Sequence, residues 1–310
     1  MLPILESGEE TLVGGQAVME GVMMRAPHSY CVAVRKPSGE IITEEMPVAR
    51  MSEKHPLLKM PVLRGLGVLG QAMSLGMKAL SFSANAALDD GESDEKKEMP
   101  KWVMIGQVAF SVVFFIALYK LIPLILTQYV TKWIPALSGQ ILSNLVDGVI
   151  RMLLFIGFLL LLVRSKDIRR TFEYHGAEHK VVFNFEARTP VTVENAQKFT
   201  TFHPRCGTSF MFVIMLMSML IYMVIPVQGF AAKFALRVVM LPVITGLSYE
   251  LIRFAARRQG SFMAMLTAPG LWIQRITTQP PSNEQAEVAI KALDGAMALE
   301  AAQDGELVIA

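Results

Sequence analysis

The sequence predicts a mainly α, polytopic membrane protein with about four transmembrane helices and a small cytosolic α+β part containing a β-hairpin. Three observations predict it. Apolar residues make up 53% of the chain against 18% charged, with 21 methionines in 310 residues, a balance hard to bury in one or two soluble cores. Four apolar stretches near 102–126, 144–163, 208–227 and 235–256 have roughly the 20-residue length a helix needs to cross a hydrocarbon core. Lysine and arginine gather in the long connection between the second and third of these: Arg164, Lys166, Arg169, Arg170, Lys180, Arg188, Lys198 and Arg205. The 127–143 loop offers only Lys132 and the 228–234 loop only Lys233. The positive-inside rule then puts the long loop and both termini in the cytoplasm, with the lipid bilayer as the main partner.

Composition also excludes classes. A formal net charge of +2, with no dense basic and aromatic interleaving, argues against nucleic acid. Cys31 and Cys206 stand far apart with no repeated spacing, which suits a reducing cytosol and leaves Cys206 available as a thiolate ligand.

The elements follow in order. Residues 1–56 form a cytosolic amino-terminal segment; Met1 to Val13 are acidic and hold no apolar run of signal-peptide length, so this end is expected to stay inside. Cys31 to Arg35 and Glu40 to Glu44 flank Lys36-Pro37-Ser38-Gly39 and read as a β-hairpin. The string Gly14-Gly15-Gln16-Ala17-Val18-Met19-Glu20-Gly21-Val22-Met23-Met24-Arg25 lacks the lysine and Ser/Thr of a phosphate-binding loop and reads as a packed loop. Residues 57–88 suit an amphipathic or interfacial helix, 89–101 a charged linker, 102–163 the first transmembrane pair and 208–256 the second. Within the spans, Asp147 and Arg151 are four apart and expected to neutralise each other, while Glu250 is expected to pair with Arg253. Residues 257–310 should hold a short cytosolic helix from Asn283 to Leu299 and a loose tail.

The loop 164–207 carries the chemistry. His175-Gly176-Ala177-Glu178-His179 places two imidazoles one helical turn apart, where both can reach one cation, with a glutamate between them to polarise an attacking water. His203-Pro204-Arg205-Cys206 follows, so three of the five histidines and one of the two cysteines fall within 32 residues. His175, His179, His203 and Cys206 are the candidate ligands of a divalent metal, with zinc first by donor type. If all four bind, the site is closed and structural; if one position is left to water, it can be catalytic. Glu178 is then the candidate base, and Arg205 or Lys180 the candidate stabiliser of developing negative charge. Glu250, 71 residues after His179, stands near the separation at which inverted zinc peptidases supply a third ligand.

The strings at 14–25, Tyr174 to Lys180 and His203 to Phe210, with Ser248 to Arg253 and Pro269 to Arg275, resemble the signatures of the YqhQ-like bacterial membrane family, domain of unknown function 1385, over roughly residues 12–295. The resemblance implies a multi-pass protein of the bacterial cytoplasmic (inner) membrane, described as a predicted metal-dependent enzyme. It points to His175, Glu178, His179, His203 and Cys206, with Glu20, Arg25 and Glu250 as secondary candidates. Where the family loop reads Met-Arg-Gly-Pro, this chain has Met24-Arg25-Ala26-Pro27. The sequence therefore leads to a metal-dependent hydrolase facing the cytosol. A membrane scaffold with a structural zinc site is the alternative, and a transporter, prompted by Lys120, Asp147, Arg151 and Glu250, the third reading.

Overall fold

The computed structural model describes residues 13–48, 56–88, 101–203, 206–257 and 261–302. Nearly all of the expected charged linker and the end of the tail lie outside them.

Four antiparallel strands, β1 (Gly14–Val18), β2 (Gly21–Arg25), β3 (Ser29–Arg35) and β4 (Ile41–Pro47), form a sheet in simple sequential order. The expected hairpin is the β3–β4 pair, with Arg35 opposite Ile41 and Gly39 at φ 89° closing the turn. The glycine-rich string is a second hairpin rather than a packed loop, with Val18 opposite Gly21 across a turn at Met19 and Glu20. Its pattern misleads because β2 is buried on both faces, which removes the polar alternation that marks a half-exposed strand.

Two helical layers cover the sheet. Val18, Met23, Tyr30, Val32 and Val34 face Leu75, Ala79 and Ala86 of α1 (Leu63–Leu88). Val22, Met24, Cys31 and Ala33 face Tyr174, Ala177 and Val181 of α5 (Lys166–Glu186) and Val288, Ala289, Ala292, Leu293 and Ala296 of α11 (Asn283–Ala302). Each large side chain so buried contributes about 1.5–3 kcal/mol. Alanines on α11 let that helix lie close to the strands, and Glu300 at its end is held by polar contacts. Its carboxylate accepts from the His28 amide at 2.9 Å and the Ser29 hydroxyl at 2.7 Å.

The apolar helices pack beside this three-layer body. α2 (Lys101–Ile116), a π-turn (Ala117–Leu121) and α3 (Ile122–Trp133) run as one apolar length over Ile105–Trp133. Pro123 cannot donate to the Tyr119 carbonyl, which accounts for the extra residue in that turn. α4 (Gln140–Leu162) and α7 (Gly207–Val224) are the second and third lengths. The expected fourth span is two helices, α8 (Phe230–Val239) and α9 (Leu241–Arg257), bent by 48°. Pro242 in the first turn of α9 explains the break, since its nitrogen cannot carry the hydrogen-bond ladder across it. Short α6 (Val193–Gln197) follows α5, and α10 (Ser261–Thr277), not foreseen in the sequence, packs on α7, where Gly270 lets the two helices close on Ser209.

Glu300→Ala would leave the His28 amide without its acceptor and the Ser29 hydroxyl with the Ala296 carbonyl alone, and should destabilise the sheet body by about 1–3 kcal/mol in chemical denaturation. A variant as stable as the parent would show that this contact does not hold α11 in place.

Candidate metal centre

α5 presents two faces. Tyr174, Ala177 and Val181 enter the core under the sheet, while His175 and His179, one turn apart, point toward the connection that leads into α7. Backbone carbonyls fix both rings. His175 Nδ1 lies 2.8 Å from the Thr277 carbonyl, at the end of α10 where helical carbonyls lack internal partners. His179 Nδ1 lies 2.5 Å from the Thr201 carbonyl. A carbonyl only accepts, so each Nδ1 carries a proton and each Nε2 is the atom turned toward the sulfur.

Those nitrogens meet a sulfur. Cys206, the residue preceding α7, places Sγ 3.3 Å from His175 Nε2, and the ligand atoms of His175, His179 and Cys206 lie within 4.8 Å of one another. Glu178 adds a carboxylate, with Oε2 3.5 Å from His179 Nε2. Two ring nitrogens and a sulfur thus share one small space, with a carboxylate beside them.

The titration behaviour of the groups agrees. Burial raises the Cys206 thiol, but His175 and then His179 outweigh it and hold the group well below the usual thiol range. Burial lowers His179, yet Glu178 and Cys206 lift it to about 9. In the bare chain protons play the cation's part. Two imidazole nitrogens and a thiolate are also a donor set that suits zinc, so the residues present fit a divalent metal.

His203 stands just outside this group. Its ring centroid is 5.6 Å from that of His179 and 4.4 Å from that of Phe183, and its Nε2 lies 3.5 Å from Glu186 Oε2. Burial, then the neighbouring His179, pushes its pKa down to about 4, keeping the ring neutral. The Gln274 side chain straps its backbone, accepting from the His203 amide and donating to its carbonyl, both at 2.7 Å. Lys180 Nζ donates to the Gln197 and Phe199 carbonyls at 2.8 and 2.7 Å, bracing the loop beyond α6. Arg205 lies outside the described residues.

The secondary candidates are elsewhere. Glu20 pairs with Arg170 and lies 3.3 Å from the Tyr174 hydroxyl, and Arg25 donates to Gln71 at 3.0 Å. Glu250 does not take Arg253 as its hydrogen-bonded partner; it pairs with Arg64, whose Nε donates at 2.6 Å, because α1 begins against α9. The glycine string nevertheless reaches the centre. A Cβ at Gly15 would stand 2.5 Å from Glu178 Cγ, so the bare backbone of β1 makes room for this carboxylate. Sequence reasoning missed three parts of the site: Gln274, and the Thr201 and Thr277 carbonyls. Gln274 lies within the Pro269 to Arg275 string, while a carbonyl leaves no side-chain signal.

The family model described as "Protein of unknown function (DUF1385)" matches residues 60–299. The chain belongs to this family. It is also similar to the "Uncharacterized protein YqhQ" of Bacillus subtilis (strain 168), 33% identical over 298 residues and 93% of each chain. No solved structure matches. The DUF1385 match takes in α1 through most of α11, with His175, Glu178, His179, His203 and Cys206, whereas the four strands, Gly15 among them, precede it.

Gly15→Ala should push Glu178 out of place and cost about 1–3 kcal/mol as an overpacked contact. Gly14→Ala, where a Cβ meets nothing within 4 Å, is the control and should unfold close to the parent. Equal thermal midpoints for the two variants would contradict the close approach of β1 to α5.

Proposed function

We propose that this DUF1385 protein is a multi-pass protein of the bacterial cytoplasmic membrane whose cytosol-facing centre holds a divalent metal, zinc first, and carries out hydrolysis. Membrane insertion is supported by the outward faces of the apolar helices, where Trp102, Phe110, Val113, Leu153 and Val224 stand exposed in a chain without lipid. Met73, Met77 and Leu80 on the outer face of α1 support the interfacial placement of that helix. The basic loop supports a cytosolic centre.

The observation that carries the reading is the grouping, among the described residues, of three ligand atoms rather than four, with a carboxylate beside them. Three protein ligands leave one position for water or substrate, as catalytic zinc sites do. When bound, such an ion supplies Lewis acidity toward a carbonyl or phosphoryl oxygen. The chain's own residues do the rest. His175 and His179 are held in one tautomer by the Thr277 and Thr201 carbonyls, so no reorientation is needed for binding. Glu178, beside His179, accepts the proton of the attacking water and delivers it to the leaving group. Lys180 is engaged by two carbonyls, which leaves Arg205, adjacent to Cys206 in sequence, as the group to steady developing negative charge.

A closed structural centre in a membrane scaffold is the second reading, favoured by the nearness of His203 to His179. The two differ in what His203 does. We expect detergent-purified protein to hold about one metal ion, and His175→Ala, His179→Ala and Cys206→Ala to lose it. His203→Ala and Glu178→Gln should retain it. Glu178→Gln should also lower hydrolysis of activated ester and phosphoester probes by about a hundredfold or more. Loss of metal in His203→Ala would favour the closed centre; full activity in Glu178→Gln would refute the assigned base.

A further inference from the structure

A second cluster lies in the apolar helices, far from the centre above. Asp147 on α4 is 1% exposed and accepts from two guanidinium groups: Arg151 on the same helix and, at 2.6 Å, Arg237 of α8. The expected Asp147–Arg151 pair is therefore present but shared. Arg151 also donates to the Ser218 hydroxyl of α7 at 2.5 Å. Lys120, 6% exposed and presented by the π-turn, is the third cation, its Nζ 5.7 Å from the Tyr222 ring that Arg151 and Arg237 flank at 5.5 Å.

The charges do not balance. Across α2 to α4, α7, α8 and the π-turn, Asp147 is the only carboxylate, and both its oxygens are taken by guanidinium groups. Lys120 is left facing them with an aromatic ring as its neighbour. Buried positive charge without a counter-ion is strongly unfavourable in an apolar surround. Donors are also left over: Arg151 Nε and the Thr127 hydroxyl are buried with no hydrogen-bond partner, and Thr127 lies on the same helical face as Lys120, seven residues on.

We propose that Lys120, Arg151, Arg237 and Thr127 form a binding site for a phosphate group, which supplies the missing negative charge and accepts from the unpaired donors. An oxyanion fits because cations from three elements gather around the Tyr222 ring, so donors are at hand on more than one side. The site is separate from the His/Cys centre: Ser218 lies 12 residues along α7 from Cys206, about 18 Å at the helical rise. It sits toward the end of the bundle where the loops are short and least basic, so either a free phosphate or the phosphate of a lipid headgroup can supply the ligand from that side.

The test uses full-length protein in neutral detergent. Its thermal midpoint is followed against inorganic phosphate, with chloride at matched ionic strength as control, and retention of phosphatidylglycerol against phosphatidylcholine is measured by native mass spectrometry. Wild-type protein should show a saturable rise with phosphate but not with chloride, or selective retention of phosphatidylglycerol that phosphate displaces. The first result alone assigns a free anion and the second a lipid headgroup. Lys120→Met should weaken either binding at least tenfold. Thr127→Val, which preserves shape, should weaken it about threefold and serves if Lys120→Met does not fold. A wild-type protein indifferent to both ligands, an equal response to chloride, or binding unaltered in the variants would overturn the assignment. None of these readouts depends on metal or hydrolysis.

Discussion

Two hydrogen bonds from consecutive turns of α5 govern the arrangement: His175 Nδ1 to the Thr277 carbonyl and His179 Nδ1 to the Thr201 carbonyl. They place a proton on each Nδ1, aim both Nε2 atoms at Cys206, and tie two stretches of chain to one helix. The acceptors are available for a physical reason. Thr277 ends α10, where carbonyls run out of helical donors, and Thr201 lies in an irregular connection that needs outside partners. Without these bonds the imidazoles would rotate and the ligand atoms would have no common focus.

The rest of the fold holds α5 in place. One face of the helix is sealed against the sheet and α11, so it cannot turn without exposing Tyr174, Ala177 and Val181. Gln274 on α10 clamps His203 and reaches Ser209, which sets the start of α7 and so the position of Cys206. The sheet is not a bystander. β1 offers Gly15 where Glu178 needs space, so the amino-terminal string and the histidine string, 160 residues apart, serve one locus.

The sequence made the long apolar helices, the β3–β4 hairpin and the grouping of His175, His179 and Cys206 legible, because length, alternation and residue type report them directly. It obscured the β1–β2 hairpin, because β2 is buried on both faces and loses its alternation, and α10, where Pro269-Gly270 resembles a break but allows close contact with Ser209. Partner choice was the least legible part. Glu250 has Arg253 nearby in sequence, but packing brings Arg64 from 186 residues away, and Asp147 draws Arg237 as well as Arg151. His203 shows the same limit: its residue type suits a ligand, yet its ring packs at a tilt against Phe183 and lies beside Glu186. Local spacing identifies who can bind; only the tertiary packing decides who faces whom.

The central claim is a three-ligand centre with sulfur in it. X-ray absorption at the zinc edge of reconstituted full-length protein tests it most directly. The account predicts one sulfur and two imidazole nitrogens, completed by a light scatterer that an added anion can replace, with the sulfur shell lost in Cys206→Ala. A shell of one sulfur and three imidazoles that no added anion alters, or one with no sulfur, would contradict it.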